Sequence, residues 1–181
     1  MCGRYVLSEE LDLSIYEKIL ADKFNQETLK LWKRTGEFFP SDIILTIDNK
    51  NEITLMKWGY ELFNRKVINT RIESIRDKRI YTSDFKNNRC LIPASGFFEW
   101  DSQKNKCYFH TEENIIYLAG IYQNNETMNN CSILTKEATS TSNIHDRIPI
   151  VLDRKQAANY LNRADLASLF STAPVFTIER P

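Results

Sequence analysis

The chain has 181 residues, 42% of them apolar, with five glycines and five prolines. That suffices for one domain, spanning 1–181, whose core needs no disulfide or metal staple. Its 24 basic residues balance 24 acidic ones, which excludes the bulk positive field of a general duplex DNA binder. No run approaches the roughly 20 apolar residues that span a bilayer, and Met1 opens no signal-peptide pattern. The expectation is a soluble cytoplasmic monomer with no membrane contact.

Cys2 comes first. Met1 ahead of so small a residue is the usual substrate for methionine removal, which leaves Cys2 with a free α-amine beside its thiol. An α-amine ordinarily titrates near about 8, so a useful fraction is unprotonated at neutral pH. Such an amine attacks an aldehyde to form an imine, and the thiol then closes onto the imine carbon to give a thiazolidine ring. The alternative is an incidental cysteine at a frayed end.

Ser8 with EELDLSIYEKILA reads as an N-cap and an amphipathic helix, with Leu11, Ile15 and Ile19 stacked on the inner face. Asp42–Ile47 and Glu52–Trp58 read as two strands around the turn Asp48-Asn49-Lys50-Asn51. Asn69–Ile80 reads as a helix with Ile72 and Ile75 inward. Between residues 57 and 89, nine Lys/Arg face four acids. That block is either a phosphate-contacting surface or a solvated helix face.

Short strands follow at Cys90–Ala94, Phe97–Trp100, Lys106–His110, Ile115–Tyr122 and Cys131–Leu134. A further strand is expected at Ile148–Leu152, then a helix capped by Asp153. Closely spaced strands with few helices predict an α+β fold around a mostly antiparallel, barrel-like sheet. Cys90, Cys107 and Cys131 sit in apolar or strand-like stretches as buried core thiols. The four cysteines and two histidines lack zinc-ligand spacing, so neither metal nor cofactor is expected.

Three further positions could carry chemistry. Asn69 offers a donor and an acceptor that would orient a sugar hydroxyl or a reacting carbonyl, or it caps a helix. Glu99 ends an apolar strand between aromatic residues, where burial would raise its pKa, or else alternation turns it to water. His145 precedes a strand with Arg147 two residues on, a pattern suited to an acid or base beside a phosphate clamp. His110, next to a polar turn, reads as structural.

The blocks MCGRY, KWGY, NTRIES, RCLIPASGFFEW and HDRIPIVL, in this order over residues 2 to about 152, resemble the signature blocks of the SRAP family. These are the SOS-response-associated peptidases that process abasic sites in DNA. The resemblance implies a covalent sensor that shields abasic sites in single-stranded DNA as a thiazolidine crosslink to Cys2, with no cofactor. Its location would be cytoplasmic, and nucleoid-associated when on DNA. It assigns the opened sugar's polar contact to Asn69, placement or deprotonation of the amine to Glu99, and proton transfer in ring opening or crosslink reversal to His145. Arg4, Arg71 and Arg147 match phosphate-holding positions, and Pro40, Trp58 and Trp100 would be stacking or wedge surfaces for bases.

The match has departures. Thr70 and Ile72 stand where the family commonly has alanines, Phe98 where tyrosine is usual, and Ile148 where methionine is usual. FFPSDIIL replaces a segment that normally carries Asn and Ala before its proline. Two other readings compete with capture. One is a thiol-dependent peptidase or autopeptidase in which Cys2 attacks a peptide carbonyl and Glu99 or His145 handles protons. The other is a noncatalytic single-stranded DNA binder.

Overall fold

The computed structural model describes residues 2–62, 65–75, 77–138, 144–162 and 174–180. In chain order the described elements are β1 (Arg4–Leu7), α1 (Ser14–Lys23), α2 (Gln26–Leu31), β2 (Gly36–Phe38), β3 (Ile43–Ile47), β4 (Ile53–Trp58), β5 (Tyr60–Leu62), β6 (Arg65–Val67) and β7 (Asn69–Arg71). A 3₁₀ turn (Ile72–Ser74) and α3 (Arg79–Asn87) lead into β8 (Arg89–Ala94), β9 (Gly96–Trp100), β10 (Lys106–His110), β11 (Ile116–Gln123) and β12 (Asn130–Glu137). The chain continues through β13 (Arg147–Pro149), β14 (Val151–Leu152), α4 (Arg154–Leu161) and β15 (Thr177–Glu179).

Five strands close into a barrel. β12 pairs with β4, β4 with β3, β3 with β8, β8 with β11, and β11 returns to β12. Only the β4–β12 junction in this ring is parallel. A second sheet, in the order β15-β10-β9-β1-β2, packs against it and is antiparallel throughout. The α+β, mostly antiparallel, barrel-like fold expected from the sequence is thus present.

Side chains alternate as the pleat requires. Ile44, Met56, Cys90, Ile92, Leu118, Cys131 and Ile133 point inward and meet Tyr5, Phe38, Phe97 and Phe109 of the second sheet. On the outside, Leu91, Ile121 and Leu134 pack under α3 and α4, while Leu45 and Leu55 pack under α1 and α2. Cys90, Cys107 and Cys131 are free thiols buried in the core, as expected. Among the described residues no helix is long and apolar enough to cross a membrane.

β12 exchanges neighbours halfway along both edges. On one edge it holds β4 through Cys131 and then β7 from Ile133 to Thr135; the other edge holds β11 and then β13. The joint on the first edge is made by Gly59 N–H donating to the Cys131 carbonyl and Ile133 N–H donating to that of Ile68. Residues 69–71 and 147–149 therefore flank the same stretch of β12.

Three expectations need correction. Ser8 caps no helix: its hydroxyl accepts from Glu10 N–H, and α1 begins at Ser14, whose N–H donates to Asp12 Oδ1. Leu11 therefore precedes the helix, and the chain buries Leu13 and Leu20 while Ile15 is 68% exposed. Asn69–Ile80 is not one helix, because its first three residues are drawn into parallel pairing with β12, secured by a buried Thr70–Ser132 hydroxyl contact of 2.9 Å. Ile148–Leu152 is two strands hinged at Ile150, whose N–H donates to Leu134 and whose carbonyl accepts from Ala119. The Asp153 cap is present, completed as a capping box by Gln156.

Gly96 opens β9 where it lies tight against its neighbour β10 in the second sheet. A Cβ there would lie 2.5 Å from the Phe109 carbonyl oxygen and 2.5 Å from Tyr108 Cε2. Gly96→Ala should therefore cost roughly 1–3 kcal/mol in urea denaturation, as overpacking does. Ile15→Ala, on the exposed face of α1, should change it by less than about 0.5 kcal/mol.

Candidate active site

Cys2 lies just ahead of β1 and is fully buried. Its thiol donates to the Arg4 carbonyl at 3.6 Å, and its own carbonyl accepts from Asn69 Nδ2 at 2.9 Å. The second contact crosses from the barrel to the second sheet and fixes the start of the chain. Burial, then the nearby Glu99 carboxylate, pushes the Cys2 thiol well above its ordinary value, so it stays protonated at neutral pH.

Asn69 is the first residue of β7, not a helix cap. Its Oδ1 is buried and has no hydrogen-bond partner among the described residues. Such an acceptor can take a donor hydroxyl without displacing an existing bond.

Alternation along β9 settles the face of Glu99: it points inward with Phe97, while Phe98 and Trp100 face out. Glu99 is 1% exposed, and burial pushes its carboxyl up to about 7. A group poised there can give or take a proton near neutral pH.

His145 is half-buried, and its Nδ1 accepts from the Arg147 backbone N–H at 3.0 Å. Burial holds its imidazole below the ordinary value. Two hollows meet at this residue. One, of about 430 Å³, is lined by Glu99, Trp100 and His145. The other, of about 640 Å³, is lined by Arg71, His145 and Arg147.

The structure therefore brings Cys2, Asn69, Glu99 and His145 to one end of the molecule, between the β7–β12–β13 edge of the barrel and the β1–β9 end of the second sheet. Among the described residues no group of three His, Cys, Asp or Glu side chains is placed to hold a metal.

The six positions assigned to DNA contacts fare differently. Arg71 is exposed, and Trp100 is half-exposed at the mouth of the smaller hollow. Pro40 is half-buried in the turn after β2. Trp58 offers no stacking face: it is fully buried, its indole N–H donating to the Ile68 carbonyl and its ring 5.5 Å from that of Tyr5. Arg147 is 7% exposed, with its guanidinium held by Glu73 at 2.8 Å and by Thr135. Arg4 donates to Glu37 at 2.8 Å and lies 3.8 Å over the Phe39 ring.

Sequence reasoning missed Glu37, Phe39, Lys106 and Glu73. Lys106 Nζ bonds the second Glu37 oxygen at 2.7 Å, so one carboxylate bridges two cations across three strands. Burial works against ionisation of Glu37, but Lys106 and Arg4 outweigh it and hold the carboxyl below its ordinary value. The alternation of GEFF and of GFFEW was the available signal, since it sets Glu37 and Phe98 on the face of Arg4. The pairing of β1 with both strands could not be read locally.

This geometry has relatives. The family model described as SOS response associated peptidase (SRAP) matches residues 1–177. Abasic site processing protein YobE of Bacillus subtilis is 30% identical over 189 residues, covering 90% of this chain and 82% of that protein. Abasic site processing protein HMCES of Xenopus tropicalis is 26% identical over 144 residues, covering 58% of this chain and 43% of that one. A crystal structure of a protein from Bacteroides thetaiotaomicron superposes with a TM-score of 0.79 at 19% identity, covering 99% of this chain and 91% of the other. The match over nearly the whole length makes this chain a member of the SOS response associated peptidase (SRAP) family.

Proposed function

We propose that this protein captures abasic sites in single-stranded DNA through Cys2, forming a thiazolidine crosslink that shields the lesion. The observation that carries the reading is the placement of Cys2, anchored by Asn69 beside Glu99, which shares a hollow with His145. Relatives named for abasic site processing support the substrate class.

The chemistry runs in two steps once Met1 is removed. The Cys2 amine attacks the C1′ aldehyde of the ring-opened sugar, and one water leaves to give the imine. The thiol then adds across the C=N bond, sulfur to carbon and its proton to nitrogen, which closes the ring. Glu99, buried and near its titration point, takes a proton from the Cys2 α-ammonium and so frees the amine to attack. His145 carries a proton to or from the sugar oxygen during ring opening. Asn69 Oδ1, which has no hydrogen-bond partner among the described residues, accepts a sugar hydroxyl.

The neutral thiol favours this order over a peptidase. Thiol peptidases need a thiolate, made by lowering the cysteine pKa. Here burial raises it. In capture the amine acts first and a protonated thiol is sufficient for closure.

Strand binding would use Arg71 for phosphate, with Trp100 and Phe39, which is 40% exposed, as stacking faces for unpaired bases. Arg4 and Lys106 share Glu37, so the overall charge of zero leaves only a local basic surface. Capture rate should fall steeply with salt.

Intact mass of the protein mixed with a single-stranded oligonucleotide bearing one abasic site tests the reading. The expected species lacks Met1 and equals protein plus oligonucleotide less one water. Cys2→Ala should give no stable adduct, and Cys2→Ser at most an imine trapped by borohydride. Equal adduct with Cys2→Ala would sink the mechanism.

A second test uses pH. Capture should rise as Glu99 ionises through about 7. Glu99→Gln should lose that limb and slow by roughly 10²–10⁴-fold. Stability carries the opposite sign. The folded chain keeps the Glu99 proton up to about 7 while the unfolded chain releases it near the ordinary 4.5, so this group lowers stability as pH rises between the two. Glu99→Gln should melt higher than wild type above pH 7, an advantage that disappears below 4.5.

A further inference from the structure

Glu73 was not among the residues marked by sequence, yet it ties together three segments around the larger hollow. It sits in the 3₁₀ turn after β7, two residues past Arg71. One carboxylate oxygen accepts from Arg147 Nη2 at 2.8 Å, and the other accepts from the Glu137 backbone N–H at 3.2 Å. Burial opposes its ionisation, but Arg147 outweighs that and holds the carboxyl below its ordinary value. The Glu73 side chain is 45% exposed, so the pair contributes little to stability. Its consequence is geometric.

Arg147 is nearly buried at the edge of β12. Nη2 also donates to the Thr135 carbonyl at 2.9 Å, and Nε donates to the Thr135 hydroxyl at 3.3 Å. Nη1 has no hydrogen bond among the described residues, and Arg147 lines the hollow that Arg71 also lines. The guanidinium is thus pinned on one side and leaves one nitrogen for a ligand.

The same residue fixes the histidine. His145 Nδ1 accepts from Arg147 N–H, and a ring nitrogen that accepts carries no proton, so the neutral ring bears its proton on Nε2. A turn of the Arg147 backbone would break that bond.

We propose that Glu73 is a positioning residue whose carboxylate locks the Arg147 guanidinium against Thr135 and, through the Arg147 main chain, holds His145 as the Nε2–H tautomer. Both Glu73 oxygens accept, so the role requires a carboxylate; a glutamine amide would turn its NH₂ toward one of the two donors. The other charged groups lining the two hollows around His145 are Arg71, Glu137, Asp146, Glu99 and Asp101. Among the described residues, Glu73 is the acid ion-paired with Arg147. The catalytic consequence rests on the capture reading above, whereas the tautomer does not.

The test has two arms, both on the full chain. In ¹⁵N-labelled protein, with His110→Gln separating the two imidazoles, wild-type His145 should show an unprotonated Nδ1 and a protonated Nε2 at about pH 8, above the ordinary imidazole range. Glu73→Gln should populate both tautomers while its melting curve remains cooperative. In the second arm, capture of an abasic single-stranded oligonucleotide by Glu73→Gln should slow on the order of tenfold, as small misplacements do. Arg147→Lys should slow it similarly, and the double variant should add no more than about twofold to Arg147→Lys alone.

Unchanged His145 nitrogen shifts in Glu73→Gln would overturn the proposal, as would full additivity in the double variant. If wild type itself forms no adduct, the capture reading fails, and the ring-nitrogen spectra alone decide the role of Glu73.

Discussion

The architecture turns on β12, a strand that serves two sets of neighbours. Its first half closes the barrel between β4 and β11. Its second half has run past both, and a strand with unpaired edges at that point would leave buried N–H and C=O groups unsatisfied. The chain answers with two short segments: β7 on one edge and β13 on the other. Asn69, Arg71 and Arg147 belong to these segments, so the need to complete the backbone pairing of β12 is what delivers them to one place. The candidate site is a product of barrel closure more than of any local motif.

The second sheet contributes the other half. β1 is sandwiched between β2 and β9, so the residues before it enter the cleft between the layers. Cys2 is buried there by position alone. Glu99 is turned inward by the pleat that also turns Phe97 inward. Burial then acts on both groups in the same sense, toward their neutral forms. For a thiolate nucleophile this would be a defect. For an amine that needs a proton acceptor near neutrality and a thiol that adds as S–H, it is an appropriate environment. The Asn69–Cys2 hydrogen bond of 2.9 Å joins the two halves and ties barrel geometry to Cys2.

Much of this was legible in the sequence, and the misses share a cause. β3, β4, β8 to β11 and the Asp153 cap were readable because period-two alternation and capping are local. β10 matched at both ends, Lys106–His110. Asn69–Ile80 failed because Ile72 and Ile75 have a spacing that suits a helix, while parallel pairing with a strand more than sixty residues away decided the outcome. The inner face of α1 could not be read locally because Tyr16 and Leu20 are chosen by packing against Leu29, Trp32, Leu45 and Leu55, which is tertiary. At the site, chemical type marked Cys2, Glu99 and His145, whereas Glu73 and Glu37 looked like ordinary surface acids. Only their pairing with Arg147 and Arg4 gives them a role, and that pairing is tertiary. Trp58 shows the converse, a large aromatic residue whose type suggested a surface for bases and whose place is the core.

The pairing pattern also explains how a chain with no net charge can still meet a polyanion. Arg4, Lys57 and Arg147 each have an acid within 3.1 Å, in Glu37, Glu61 and Glu73. These pairs cancel their fields at a distance, since the screening length is only about 8–10 Å at moderate salt. Long-range attraction is therefore left to residues such as Arg65 and Arg71, both exposed near β7. The consequence is a division of labour by distance. Under the proposed capture, exposed cations would bring a strand to the cleft without selecting a position on it. The pinned cations would act only on contact, since Arg147 lines the hollow and Arg4 lies 3.8 Å over the Phe39 ring. Weak general attraction with geometrically fixed cations at the centre would suit the proposed covalent capture, in which the bond supplies retention and the site needs only to place the reacting atoms.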